Sequence, residues 1–99
     1  MKTKQYNESF VMSGHKTNSS MIYQVEDKKF KFSYDCGNSF EHFKIEQYDG
    51  VKLNVIAILT DLNEKRDSLA YHHTDIEARQ RVSVLNDKAR KYVENLLKF

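Results

Sequence analysis

The sequence predicts an α+β domain: an antiparallel β-meander of four to five strands with one long C-terminal helix packed on one face. Three observations lead there. Thr74-Asp75-Ile76-Glu77 has the spacing of a capping box. Behind it, Ala78, Val82, Leu85, Ala89, Tyr92, Val93 and Leu96 recur at three- and four-residue steps, a stripe about 100° wide that suits a helix laid on a core. From Met21 to Leu59 the apolar period is two, and turn residues interrupt it. Strands joined by short turns and followed by one helix place the helix across the apolar face of a meander.

Residues 1–20 form either an edge strand or a partly disordered segment. Ser9 to Met12 is the best strand within it, and Ser13 to Ser20 is polar and turn-rich, which predicts a loop. Residues 21–72 make the sheet. Met21, Tyr23 and Val25 share a face, Glu26-Asp27-Lys28 turns the chain, and Phe30, Phe32 and Tyr34 form the next inward set. Asp35-Cys36-Gly37-Asn38 reads as a second turn. A third strand runs from about Phe40 to Tyr48. Phe43 and Ile45 agree in phase and Phe40 does not, which calls for a bulge near Glu41-His42 or a start at His42. Asp49-Gly50 is the strongest turn signal and predicts a type I′ hairpin. In the following strand Val51, Leu53, Val55, Ala57 and Leu59 are expected on one face, with Ile56 and Ile58 making the other apolar as well. The outer sheet face, with Lys29, Lys31, Ser33, Lys44, Glu46, Lys52 and Asn54, is expected to meet water. Residues 61–72 fit a short fifth strand over Ser68–His72, with a short helix as the alternative. The helix spans 74–98.

Ninety-nine residues suffice for a single domain with one modest core. The balance of 39% hydrophobic and 30% charged residues is that of a globular chain. Sixteen basic against 14 acidic groups give a net charge of +2, too small to imply nucleic acid or a membrane surface by itself. The single cysteine, Cys36, excludes an intramolecular disulfide and a multi-thiolate zinc site, which points to a reducing, cytoplasmic setting. The start lacks the apolar stretch of a signal peptide, and Val55–Leu59 is far too short to span a bilayer. The absence of Pro and Trp, with many Lys, Asn and Tyr, is a composition common in AT-rich genomes, including those of phages and mobile elements.

Few residues suggest chemistry. His72-His73 with Asp75 and Glu77 is the densest group of candidate ligands. Adjacent histidines diverge on either a strand or a helix, and the two acids suit the first turn of a helix. Further ligands would have to come from His15, His42 or Cys36. Cys36 follows Asp35, whose charge opposes a thiolate. Three glycines cannot build a phosphate loop, and no nucleophile elbow is present. The expectation is a non-enzyme without cofactor or metal.

The remaining signal is on the helix. Arg81, Lys88, Lys91 and Lys98 fall within about 100° of arc beside the apolar stripe, with Arg79 and Arg90 at the far edge and Val84 among them. Pairs at the right spacing, Asp87-Lys91, Asp87-Arg90 and Glu94-Lys98, would make this a solvated face. Read as a site, Arg81, Val84, Lys88, Lys91 and Lys98 form a partner-binding surface. Ile76, Val84 and Leu97 lie off the stripe and suit a protein partner or a second copy. An edge strand, either Met21–Val25 or the N-terminal segment, offers β-addition. The leading expectation is a small non-catalytic regulatory module acting by protein–protein contact, such as an inhibitor or modulator from a phage or mobile element. Binding of nucleic acid along the basic flank is the alternative, and a metal-dependent or thiol enzyme ranks third.

Overall fold

The computed structural model describes residues 2–13, 16–37, 40–62 and 74–97. Five strands, β1 (Thr3–Ser13), β2 (Lys16–Val25), β3 (Lys28–Cys36), β4 (Glu41–Tyr48) and β5 (Leu53–Leu62), precede one helix, α1 (Asp75–Leu97). The strands pair antiparallel in the order β1-β2-β3-β4-β5. The helix lies over β2 and β3. The α+β meander with a C-terminal helix is therefore the architecture of this chain.

The inner face of the sheet follows from period-two alternation. Met21, Tyr23 and Val25 pair with Phe32, Phe30 and Lys28, and Phe32 and Tyr34 pair with Ile45 and Phe43. This register lines up Tyr23, Phe32, Phe43 and Tyr34, with ring centroids 5.8 to 6.3 Å apart in tilted pairs. Phe30, Phe32, Phe43 and Ile45 are fully buried, each worth roughly 1.5–3 kcal/mol of apolar transfer.

The helix begins as its sequence dictates. The Glu77 amide donates to Thr74 Oγ1 at 3.1 Å, whereas the Glu77 carboxylate accepts from the Thr74 hydroxyl at 3.4 Å rather than from its amide. Ala78, Val82, Leu85, Ala89 and Val93 are buried as the stripe requires, joined by Asn86. Tyr92 and Leu96 are exposed, and Leu97 takes the inward place at the C-terminal end. Of the intrahelical pairs, Asp87–Arg90 forms and Asp75–Arg79 forms at 2.7 Å; Glu94, whose expected partner Lys98 is not among the described residues, accepts from the Tyr23 hydroxyl at 3.1 Å.

Several expectations are corrected. The stretch Lys16–Ser20 is strand, not loop, because Thr17 and Ser19 point inward and are buried. The N-terminal strand runs eleven residues, with a bulge at Glu8. It is almost wholly solvated, so it carries little apolar pattern. Met21–Val25 is an interior segment between β1 and β3 and has no free edge. Cys36 ends β3 and is buried, not a turn residue. β4 starts at Glu41, whose side chain points inward.

The β4–β5 turn has Gly50 and Val51 at its centre. The Asp49 amide donates to the Lys52 carbonyl at 3.1 Å, and only Gly50 has positive φ, +98°. That is the type II′ pattern rather than type I′. Asp49 braces the turn by accepting from the amides of Val51 and Lys52, each at 2.9 Å.

β5 departs most from its reading. Its register slips at Ile56 and again at Leu59, so each is an extra residue against β4. The hairpin register pairs Leu53 and Val55 with the outward Tyr48 and Glu46, and the bulge at Ile56 then brings both Ile56 and Ala57 toward the core and leaves Ile58 facing out, with Leu59 packed inward at the second bulge. The expected strand over Ser68–His72, with His72 and His73, lies outside the described residues, as do His15 and Lys98; of the alternative helix from Asp61 to about Tyr71 only Asp61 and Leu62 are described, and they belong to β5.

Candidate functional site

Three places on the molecule hold side chains that could do work. The first is the outer face of the sheet at β4 and β5. Leu53, Val55 and Ile58 are 38%, 53% and 60% exposed. They line one side of an edge strand, and Tyr48 and Val51 extend the apolar surface to the hairpin. Two hollows flank the strip. One, of about 410 Å³, lies among Glu8, Ile22, Lys29, Lys31, Tyr48 and Leu53. The other, of about 290 Å³, lies among Ser33, Asp35, His42, Lys44, Ile58 and Asp61. The cations of this face are partly engaged: Lys31 Nζ is 3.3 Å from Glu8 Oε1, and Lys44 Nζ is 3.9 Å from Glu46. Lys29 sits over the Tyr48 ring and Lys4 over the Tyr6 ring, at 6.0 and 5.8 Å from the centroids. The outer face expected to be polar thus carries an apolar strip. The hairpin register and the bulges in β5 are the cause.

The second place is the flank of α1 singled out from sequence. Val84, Lys88 and Lys91 are exposed on the side of the helix away from the sheet. Arg81 does not join them. Its Nε donates to Glu41 Oε2 at 3.0 Å and one terminal nitrogen donates to Glu41 Oε1 at 2.7 Å, a bidentate pair. Glu41 is fully buried and also accepts from the Tyr34 hydroxyl at 2.7 Å. Burial and this acceptor push the Tyr34 phenol far above its usual range, and the Glu41 carboxylate raises the Arg81 guanidinium further. Arg81 thus ties the first half of α1 to the start of β4. The other charges that flank the stripe behave similarly: Arg79 stacks on Phe10, 4.0 Å from the ring centroid, and Arg90 donates to Gln5 at 2.9 Å.

The third place is a cleft of about 240 Å³ between α1 and β1. Its walls include Asn86 and Ser19, which no pattern in the sequence marks out. Among the described residues no group of His, Cys, Asp and Glu is arranged to hold a metal ion, and Cys36 lies buried beside the Tyr34–Glu41 cluster. No helix of the described residues is long and apolar enough to cross a membrane. No family model matches the chain, and neither a curated protein nor a solved structure shows significant similarity to it.

Proposed function

We propose that this chain is a non-catalytic binding module, regulatory in role, that acts by contacting another protein through the outer face of β5. The observation that carries the reading is the run of three large aliphatic side chains, Leu53, Val55 and Ile58, turned to solvent on one face of β5, the edge strand of the sheet among the described residues. Exposed aliphatic side chains scattered singly are ordinary, whereas a contiguous strip rimmed by charge is a mark of an interface. Lys44, Glu46 and Lys52 supply such a rim beside it. A cytoplasmic setting and a role as inhibitor or modulator of a host protein fit a small chain with one buried thiol. The helix patch of Val84, Lys88 and Lys91 is the second surface for the same kind of contact.

The test is capture of partners by tagged protein, with and without nuclease, comparing the parent with Val55→Asp/Ile58→Asp and with Val84→Asp. Loss of a discrete, nuclease-resistant protein in the β5 variant alone supports the reading. Retention in that variant with loss in Val84→Asp moves the site to the helix.

A nucleic-acid reading keeps one specific observation, the pairing of Lys4 with Tyr6 and Lys29 with Tyr48 on the same sheet face. Aromatic rings flanked by cations are what single strands stack on. Under that reading, binding of a labelled oligonucleotide falls steeply between 50 and 200 mM salt, and Tyr48→Ala weakens it.

A further inference from the structure

The cleft between α1 and β1 is walled by an unusual set of groups. Asn86 and Ser19 are 8% and 7% exposed and line it, and among the described residues the one fully buried side-chain polar atom without a partner is Thr17 Oγ1, so the polar atoms of Asn86 and Ser19 still meet water through the cleft. A ligand in the cleft can take the place of that water as the hydrogen-bond partner of both side chains. Here both open onto a space large enough to hold a partner. Arg79 and Arg90 flank the same space. They are eleven residues apart on the helix, so their backbones stand about 16 Å apart along its axis. Arg79 is held over Phe10, and Arg90 is held by Gln5. Among the described residues no carboxylate lines the cleft. Asp75 and Asp87 each engage one guanidinium, leaving further N–H donors on each fork. Phe10, Met21 and Val82 supply apolar wall between the polar groups.

We infer that this cleft binds a small elongated molecule carrying an anionic group, carboxylate or phosphate, at one or both ends. The anion meets a guanidinium, the geometry at which Arg forms paired, charge-assisted bonds. The middle of the ligand satisfies Asn86 and Ser19 while its carbon frame lies on Phe10 and Val82. At about 240 Å³ the space is smaller than the ~300–1,000 Å³ of sites for drug-sized molecules. The ligand is accordingly of metabolite size. Such a site gives a binding module an input: occupancy would clamp α1 to the edge strand. The inference does not depend on the β5 surface.

The experiment is titration of ¹⁵N-labelled protein with inorganic phosphate, acetate and a series of straight-chain dicarboxylates of increasing length, following backbone amides and the Asn86 side-chain amide. The expected result is saturable shifts at Asn86, Ser19 and Gln5, tighter for a dicarboxylate than for acetate. Removal of one charged hydrogen-bond partner lowers affinity by about tenfold or more, so Arg79→Gln and Arg90→Gln each weaken binding. Asn86→Leu, which fills the space with an apolar group and needs no partner, abolishes it. Lys88→Gln/Lys91→Gln and Val55→Asp leave it intact. A preference for phosphate over every carboxylate keeps the site and assigns its anion. Shifts spread over the surface lysines, or equal binding by the Arg79→Gln and Arg90→Gln variants, reduce the effect to general ion pairing and overturn the inference. No shift at Asn86 with any probe at millimolar concentration makes the cleft a water pocket and also overturns it.

Discussion

Arg81→Met tests whether Glu41, the one wholly buried carboxylate among the described residues, depends on the helix for its charge. Glu41 has no exposure, and its oxygens accept two bonds from Arg81 and one from Tyr34. Removing one member of a buried ion pair costs about 3–5 kcal/mol, because the remaining charge is stranded. Two facts lower that figure here. The Arg81 side chain is 36% exposed, so water already screens part of the attraction. The Tyr34 hydroxyl also remains as a donor after the substitution. We therefore expect a loss of about 2–4 kcal/mol, read from the urea midpoint at unchanged slope. For a domain this size that is a fall of roughly 10–25 °C in Tm. The triple variant Glu41→Met/Arg81→Met/Tyr34→Phe replaces the whole cluster with apolar groups and should recover to within about 1 kcal/mol of the parent. A single variant within about 0.5 kcal/mol of the parent refutes the reasoning, since surface substitutions fall in that range. A triple variant no better than the single one refutes it too. The result also bears on function: if Arg81 is a strut, Arg81→Met below its Tm keeps whatever partner the parent binds.

Other substitutions report on single features. Thr17 Oγ1 is buried with no partner among the described residues, so Thr17→Val, which keeps the shape and removes the hydroxyl, should stabilise by about 1 kcal/mol in the same urea assay. Gly50 sits at φ +98° with open space around the position of a Cβ, so Gly50→Ala should cost about 1 kcal/mol from backbone strain alone, whereas Gly50→Asn costs less. Asp49 is held below its usual value of 3.8 by the amides of Lys52 and Val51 and by Asn54. Its contribution is therefore present above about pH 3.8 and is lost as pH falls through the lower folded-state value; Asp49→Asn should flatten that part of the acid stability curve. Tyr34 and Tyr23 are raised above 10.0, mainly by burial. Stability should hold below pH 10 and decline as pH rises above it, because the unfolded chain then loses phenolic protons that the folded chain keeps. Absorbance titration should show Tyr23 and Tyr34 keeping their phenolic protons above pH 10 while the protein stays folded.

The helix and three of the strands were legible because each states its burial in its own period. Phe30-Lys31-Phe32-Ser33-Tyr34 can face the core in only one register, and Ala78 to Val93 can face it only along one stripe. β1 was nearly illegible for the opposite reason. Outside Phe10 and Met12 its inward positions are Thr3, Gln5 and Asn7, polar groups beside an open cleft rather than under the apolar stripe of the helix. Nothing apolar marks such a strand, which exists because its backbone pairs with β2. Lys16–Ser20 was hidden likewise, since Thr17 and Ser19 are buried by position and not by hydrophobicity. Glu41 and Arg81 are forty residues apart, and only the fold brings an outward-looking helix charge to an inward-looking strand acid.

The surface proposed for partner binding shows why sites are harder to read than folds. In Val55-Ile56-Ala57-Ile58-Leu59 every residue is apolar, so either phase of the strand satisfies a core. Alternation carries information only when its two faces differ. The phase is set instead by β4, where Phe43, Ile45 and their polar neighbours alternate without ambiguity, and β5 must match them through bulges at Ile56 and Leu59. The bulges satisfy the inner face with Ile56, Ala57 and Leu59 and, with the hairpin register, leave Leu53, Val55 and Ile58 outside. A strand needing only to close this core has no use for three aliphatic side chains on its wet face. Threonine or lysine there would serve solubility and shield the edge better. Substituting all three with Thr keeps β propensity and removes apolar surface that contributes nothing to the core. It should therefore leave the urea midpoint within about 0.5 kcal/mol of the parent, the range of ordinary surface changes, while abolishing partner capture. A large loss of stability would mean that this strip is packed against the chain itself, and the proposed interface would have to be given up.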